Sequence, residues 1–142
     1  MLIALALAVA TWGAGFDVLY ALQDIDFDRS LSLHSLPASF GPRRALLMAR
    51  SLHVTTVLCL AAVGSATFTG THAGSFYATG VVITAGLLLY EHSLVKHDDF
   101  SRLDAAFFTM NGVISIAFFA AALVERLVHS NPVVLAFLRT GR

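Results

Sequence analysis

The sequence is poor in charge. Lysine, arginine, aspartate and glutamate together make up 13% of 142 residues, about half the share of an ordinary soluble domain. Nine basic and nine acidic side chains cancel to a formal net charge of zero, which excludes a nucleic-acid partner held by bulk charge. Cysteine is nearly absent. Cys59 stands alone, so there is no internal disulfide framework and no cysteine-cluster metal site; inside an apolar run it reads as a packing residue. Proline occurs three times. Two of these, Pro37 and Pro42, fall with Gly41 between the first two apolar runs and break that stretch into short pieces. No internal repeat or low-complexity tract is present.

What the chain has in quantity is apolar side chain, 57% of its residues, with a mean hydropathy of +0.77. A soluble domain of this size could not hide so much, so the bilayer is the expected solvent. Four apolar runs stand out: Leu2–Phe16, Ala45–Phe68, Ser75–Leu94 and Ala105–Leu127. A helix needs about 20 residues to cross the hydrocarbon core. The last three runs reach that length; the first falls slightly short, as though its beginning were missing or Val18–Leu22 completed it. Spanning elements must satisfy their own backbone hydrogen bonds. The expected fold is therefore all-α, a multi-pass transmembrane bundle of four spanning helices. Short connections among the last three make them antiparallel neighbours. Ala8-Val9-Ala10 has the small-x-small pattern of a cleavage site, but no basic residue precedes it, so the first run reads as a span rather than a signal peptide. Ala61 with Ser65, and Gly80 with Thr84, have the spacing of close helix packing.

Basic residues set the expected orientation. Arg29, Arg43, Arg44 and Arg50 follow the first run, Lys96 and Arg102 follow the third, and Thr69–Gly74 carries none. Basic loops stay cytoplasmic. The segment after the first run and the Glu91–Asp104 loop should share the cytoplasmic side, with the tail, 129–142, on the other. Arg139 and Arg142 in that tail run mildly against the rule.

Four of the nine acidic residues lie in one short stretch, FDVLYALQDIDFDR, from Phe16 to Arg29. Asp17, Tyr20, Asp24 and Asp28 are spaced three, four and four, one face of a continuous helix; Asp26 points elsewhere. Carboxylates crowded on one face repel one another, so a cation should compensate. Mg²⁺, which takes one or two carboxylates together with substrate phosphates, suits that spacing. The plainer alternative is a solvated helix end with acids at the membrane interface. Glu91, His92, His97, Asp98 and Asp99 form a second polar group, but their spacing matches no tight ligand set and reads as an interfacial loop. Asn111, an amide inside the last run beside Gly112, should bond a neighbouring helix or reach a cavity.

GFDVLYALQDIDFDR, followed by LHSLPASFG, resembles the second aspartate-rich motif of the UbiA superfamily of intramembrane prenyltransferases. LLLYEHSLV and LDAAFFTMNGVIS resemble the last two helices of its 4-hydroxybenzoate polyprenyltransferase-like branch. The resemblance covers Ala10 to Leu127. It implies Mg²⁺-dependent transfer of a polyprenyl chain from its diphosphate to an aromatic acid such as 4-hydroxybenzoate, in ubiquinone or menaquinone biosynthesis, at the inner membrane. It also implies a nine-helix fold of which these four runs are the last four, with residues 1–128 a partial prenyltransferase domain and 24–44 its cap. By the resemblance Asp24 and Asp28 are metal ligands, Asp17 and Tyr20 complete the catalytic set, and His34 and Ser35 lie in the segment that covers the site and contact substrate; from its own chemistry Arg29 is a candidate to meet the substrate's phosphate oxygens and Asn111 to reach substrate in the cavity. Phe16, Tyr20 and Tyr90 are candidates to face an allylic cation, and Arg43 and Arg44 to meet phosphate. Ser35 or Ser39 also reads as a helix cap. Outside Asp24–Asp28, which belongs to the second motif, no Asn/Asp-x-x-x-Asp segment occurs that could be the family's first motif. The expected whole is thus the carboxy-terminal half of an enzyme, its amino-terminal half a missing partner and Met1 an internal methionine. A non-catalytic four-helix membrane remnant or subunit with an acidic cytoplasmic face stands as the alternative.

Overall fold

The computed structural model describes residues 1–68, 74–95 and 109–131. All of the regular structure there is helical: α1 (Leu2–Tyr20), α2 (Ile25–Ser30), α3 (Leu36–Phe40), α4 (Pro42–Thr67), α5 (Ser75–Leu94) and α6 (Met110–Ser130). The expected multi-pass helical bundle is what forms. The first run is completed, as its length required, by Asp17 to Tyr20. Three helices, α1, α4 and α6, are long and apolar enough to cross a membrane. At 1.5 Å per residue, α4 reaches about 39 Å, longer than the hydrocarbon core. The fourth expected span, α5, has 20 residues but is not one of the three. Its ends carry Ser75, Tyr77, Tyr90, Glu91 and His92, which dilute its apolar middle.

The helices pair as α1 with α4 and α5 with α6, and α4 with α5 joins the pairs. Two apolar clusters fill the seams. Val18, Leu19 and Leu22 pack on Ala45, Leu46, Ala49 and Val95 at one end. Ala8, Leu60, Val63, Tyr77 and Val81 pack at the other, with Cys59 on the margin as a packing residue. Between them Thr11 and Thr56 share a buried 2.9 Å hydrogen bond from α1 to α4. Of the two small-residue pairs, Gly80 does allow close approach: a Cβ there would lie 2.6 Å from that of Ala121 on α6. Ala61 and Ser65 are exposed instead.

The α5–α6 hairpin is tied by Glu125, which is fully buried. Its carboxylate accepts the backbone N–H groups of Gly74 and Phe76, both at 2.8 Å, and of Tyr77 at 3.0 Å. The first N–H groups of a helix have no partner within it, and the positive end of the helix dipole favours an anion. A carboxylate from α6 thus caps α5. His129 sits 2.9 Å from Glu125 Oε1, and the Tyr77 hydroxyl donates to the Leu60 carbonyl of α4 at 3.1 Å.

The stretch between α1 and α4 is built from short pieces, as its prolines and glycine predict. Ser35 caps α3, its Oγ accepting the Ala38 N–H at 3.3 Å. Gly41, at φ 83°, links α3 directly to α4; a residue with a side chain is strained there. Pro42 then opens α4, a position where its missing N–H costs nothing.

Candidate functional site

The acidic segment is not one continuous helix, which corrects the single-face expectation. α1 stops at Tyr20, and the Leu22 and Gln23 N–H groups bond only three residues back, to Leu19 and Tyr20. Asp24 then starts α2 as its N-cap residue, at φ −96° and ψ 9°, without a side-chain capping bond. The i, i+4 spacing across 20–24 therefore does not guarantee a shared face, whereas Asp24 and Asp28 lie one turn apart, the Asp28 N–H donating to the Asp24 carbonyl at 2.7 Å. Leu22 is fully buried and Ile25 nearly so, so the turn keeps both on the inner side of the chain.

Asp17, Tyr20, Asp24, Asp26 and Arg29 are exposed, and Asp28 is half-buried. Among the described residues no hydrogen bond or ion pair engages any of the four carboxylates, and no group of three His, Cys, Asp or Glu side chains forms a ready-made metal cluster. α2 ends in a Schellman arrangement. The Leu33 N–H reaches the Asp28 carbonyl at 2.8 Å, and the Ser32 N–H reaches that of Arg29 at 3.2 Å, with Ser32 in the left-handed region at φ 56°. His34 is exposed in the link to α3, and Ser35 is half-buried and spent on capping. Asn111 is half-buried in the first turn of α6. Since Glu125 near the far end of α6 caps the start of α5, Asn111 lies at the same end of the bundle as the acidic segment.

A cavity of about 280 Å³ lies among α1, α4, α5 and α6, walled by Leu5, Val9, Trp12, Leu60, Ile114 and Phe118 with few polar atoms. Trp12 stacks edge-on against Phe16 at 6.0 Å, the residue before Asp17. Tyr20 and Tyr90 are 40% and 52% exposed, so neither belongs to the core.

The second polar group departs from the interfacial-loop expectation. Glu91 and His92 belong to α5; Glu91 is buried, and the His92 ring nitrogen Nε2 lies 3.0 Å from Nδ1 of His53 on α4. His97, Asp98 and Asp99 lie outside the described residues, as do Lys96, Arg102 and the tail beyond Asn131. His53 and Glu125 carry no sequence signature of their own. The one available signal was an ionisable residue inside an apolar run, which in a membrane helix marks a site or a structural tie.

The donor set fits a hard divalent cation. Two unspent carboxylates one turn apart supply what Mg²⁺ takes from protein when substrate phosphates and water fill its other positions. By themselves they make too few ligands for an all-protein site.

Comparison with known proteins bears on the same segment. The 4-hydroxybenzoate octaprenyltransferase of Azoarcus sp. is 27% identical over 125 residues, covering 86% of this chain and 40% of its own length. The enzymes of that name from Aliivibrio salmonicida and Marinobacter nauticus are each 30% identical, over 118 and 112 residues, covering 81% and 79% of this chain and 40% and 36% of their own lengths. The chain therefore spans about 40% of the length of the curated relatives it matches. No solved structure matches it. The model of the UbiA prenyltransferase family matches residues 1–113, which takes in α1 to α5 and the whole acidic segment: the chain belongs to the UbiA prenyltransferase family.

Proposed function

We propose that this chain supplies the second aspartate segment and part of the prenyl-chain cavity of an aromatic prenyltransferase, one that moves a polyprenyl group from its diphosphate to 4-hydroxybenzoate or a related acid in quinone biosynthesis. The supporting observation is Asp17-x-x-Tyr20-x-x-x-Asp24-x-x-x-Asp28, lying within the family match with all three carboxylates unspent. Asp24 and Asp28 would hold Mg²⁺, whose chemistry is Lewis-acid stabilisation of the departing diphosphate. The exposed guanidinium of Arg29 binds phosphate oxygens in charge-assisted hydrogen bonds. Asp17 and Tyr20, at the last turn of α1, orient the acceptor. His34 and Asn111, at the same end of the bundle, contact substrate, and Ser35 holds the cap that carries His34. The apolar cavity walled by Trp12 and Phe118 excludes water and takes the prenyl chain. The site faces the cytoplasm from the inner membrane, and the rest of the enzyme comes from sequence outside this chain.

The second reading, a membrane subunit without catalysis, draws on the lack of a first aspartate motif in the sequence and of a three-ligand cluster among the described residues. A chimera separates the two. In the Aliivibrio salmonicida relative the matching segment is replaced by this chain, and membranes are assayed for prenylation of labelled 4-hydroxybenzoate with Mg²⁺. Product formation is expected from the chimera and none from the 142-residue chain alone. A folded but inactive chimera favours the subunit reading; turnover by the chain alone contradicts the incomplete-enzyme reading.

A further inference from the structure

The bundle interior holds a polar contact that the site does not use. His53 of α4 is 2% exposed, and its Nδ1 lies 3.0 Å from Nε2 of His92 on α5. The opposite edge of the His53 ring faces α1, against Gly15 and the Trp12 backbone. A Cβ on Gly15 would collide with that edge, so α1 comes this close only because residue 15 has no side chain. Two histidines thus link three helices. Ionisable side chains within membrane helices are costly and mark a site or a working part. The free nitrogens, His53 Nε2 and His92 Nδ1, are closed off by burial, so what the pair acts on is the chain itself.

The surroundings fix which nitrogen carries each proton. If His92 Nε2–H donates to His53 Nδ1, then His53 Nε2 carries an N–H toward the Trp12 carbonyl, and His92 Nδ1 is left as a bare lone pair. If His53 Nδ1–H donates instead, a lone pair faces that carbonyl and His92 Nδ1 becomes a buried N–H without a partner. Buried N–H groups are orphaned more rarely than acceptors, and facing lone pairs repel. The first arrangement is favoured at both ends. His53 Nε2 completes no hydrogen bond to α1, so its hold on that helix is shape and dipole: ring against glycine, N–H toward carbonyl.

We propose that His53 and His92 are positioning residues for the last turn of α1: the bond from His92 fixes the His53 ring, and the ring seats Gly15 so that Asp17 and Tyr20 are held at the surface. The burial pattern of that turn matches such seating, with Gly15, Val18 and Leu19 buried and Asp17 and Tyr20 exposed. The consequence for catalysis rests on the prenyl-transfer reading, in which Asp17 and Tyr20 orient the acceptor. The pair then governs acceptor binding and leaves the diphosphate, held from α2, unaffected.

The test has two arms. In the first, the 142-residue chain carries isotope-labelled histidine and is read by nitrogen NMR in micelles. Both rings should be neutral with the proton on Nε2, and His92 Nε2 should couple to His53 Nδ1 across their bond. Trp12, the single tryptophan, reads the seating of α1. His92→Met removes the donor at nearly constant length and should increase quenching of Trp12 by a brominated detergent. His92→Gln, whose amide nitrogen can replace Nε2, should behave as the native chain does. Circular dichroism checks that each variant keeps its helices. In the second arm, the chimera with the Aliivibrio salmonicida relative carries the same changes. His92→Met should raise KM for 4-hydroxybenzoate about fivefold, the order of one neutral hydrogen bond, with KM for the polyprenyl diphosphate unchanged and His92→Gln close to the parent. Lost stability alone would lower the yield of active enzyme and leave both KM values in place. A proton on Nδ1 of either ring, equal Trp12 quenching in the Met and Gln variants, or an acceptor KM unmoved by His92→Met overturns the assignment. A parent chimera without turnover counts against the prenyl-transfer reading, and the spectra of the chain then decide the seating alone.

Discussion

Glu125 shows how much one side chain can hold in a chain with so few charges. Three backbone N–H groups of α5 and the His129 ring converge on one buried carboxylate. Glu125→Gln keeps the shape and removes the charge that the helix end favours. We expect it to lower bundle stability by about 2 kcal/mol, the difference between charged and neutral bonds summed over the cap, read by equilibrium unfolding in mixed micelles. No change would mean that water already satisfies the α5 terminus. Ser32 is the opposite case, a non-glycine residue at φ 56°. Ser32→Gly should relieve about 1 kcal/mol of left-handed strain and slow hydrogen exchange at the Leu33 amide; faster exchange there would show that the serine is contributing a bond of its own. Neither residue's role can be read from its neighbours in the sequence. Glu125 lies in an apolar run whose chemistry depends on α5, more than forty positions away, and serine is a poor flag for a left-handed turn. Ser35 was legible, because Ser followed by Leu-Pro is a local capping pattern whose meaning needs no distant partner.

At the scale of elements, apolar runs and breakers predicted the helices well, since length and backbone satisfaction leave few alternatives in a membrane. Pro37, Gly41 and Pro42 mark the joints of α3 and α4 where they occur. What spacing could not show was the turn at Ala21–Asp24. The i, i+4 pattern of acids continues through it, and only the three-residue bonds of the Leu22 and Gln23 N–H groups reveal that the helix stops. Likewise Glu91 and His92 look like loop residues by polarity, but the partner that draws His92 into α5 is His53, on another helix. The Gly80 contact was foreseeable as a small-residue position, though not its partner. Gly80→Ala should separate α5 from α6 and cost about 1–3 kcal/mol by overpacking. Adding Ala121→Gly, which removes the facing methyl, should restore part of the loss, a coupling that a double-mutant cycle in micelles measures. Strict additivity would show that the two positions do not meet.

For the whole molecule, the two helix pairs leave much apolar surface outward; only 11% of the best spanning window of α6 is buried. That surface suits lipid or further helices, in keeping with a chain that spans about 40% of the length of its curated relatives. Orientation follows from the arginines. A reporter fused after Arg44 should lie in the cytoplasm and one fused at Gly74 on the opposite side, with α4 crossing between them. The same side for both would remove α4 as a span.

The central claim is that Asp24 and Asp28 carry the metal-dependent part of prenyl transfer while Asp26 does not, and the transfer rate of the chimera with single Asp→Asn changes tests it most directly. Removing an electrostatic group that acts in the transition state costs about 10²–10³ in rate. Asp24→Asn and Asp28→Asn should each lose activity on that scale, with partial recovery at higher Mg²⁺, while Asp26→Asn stays within about threefold of the parent, as expected of a side chain that touches no reacting group. Equal losses at all three positions, or the largest loss at Asp26, would contradict the assignment.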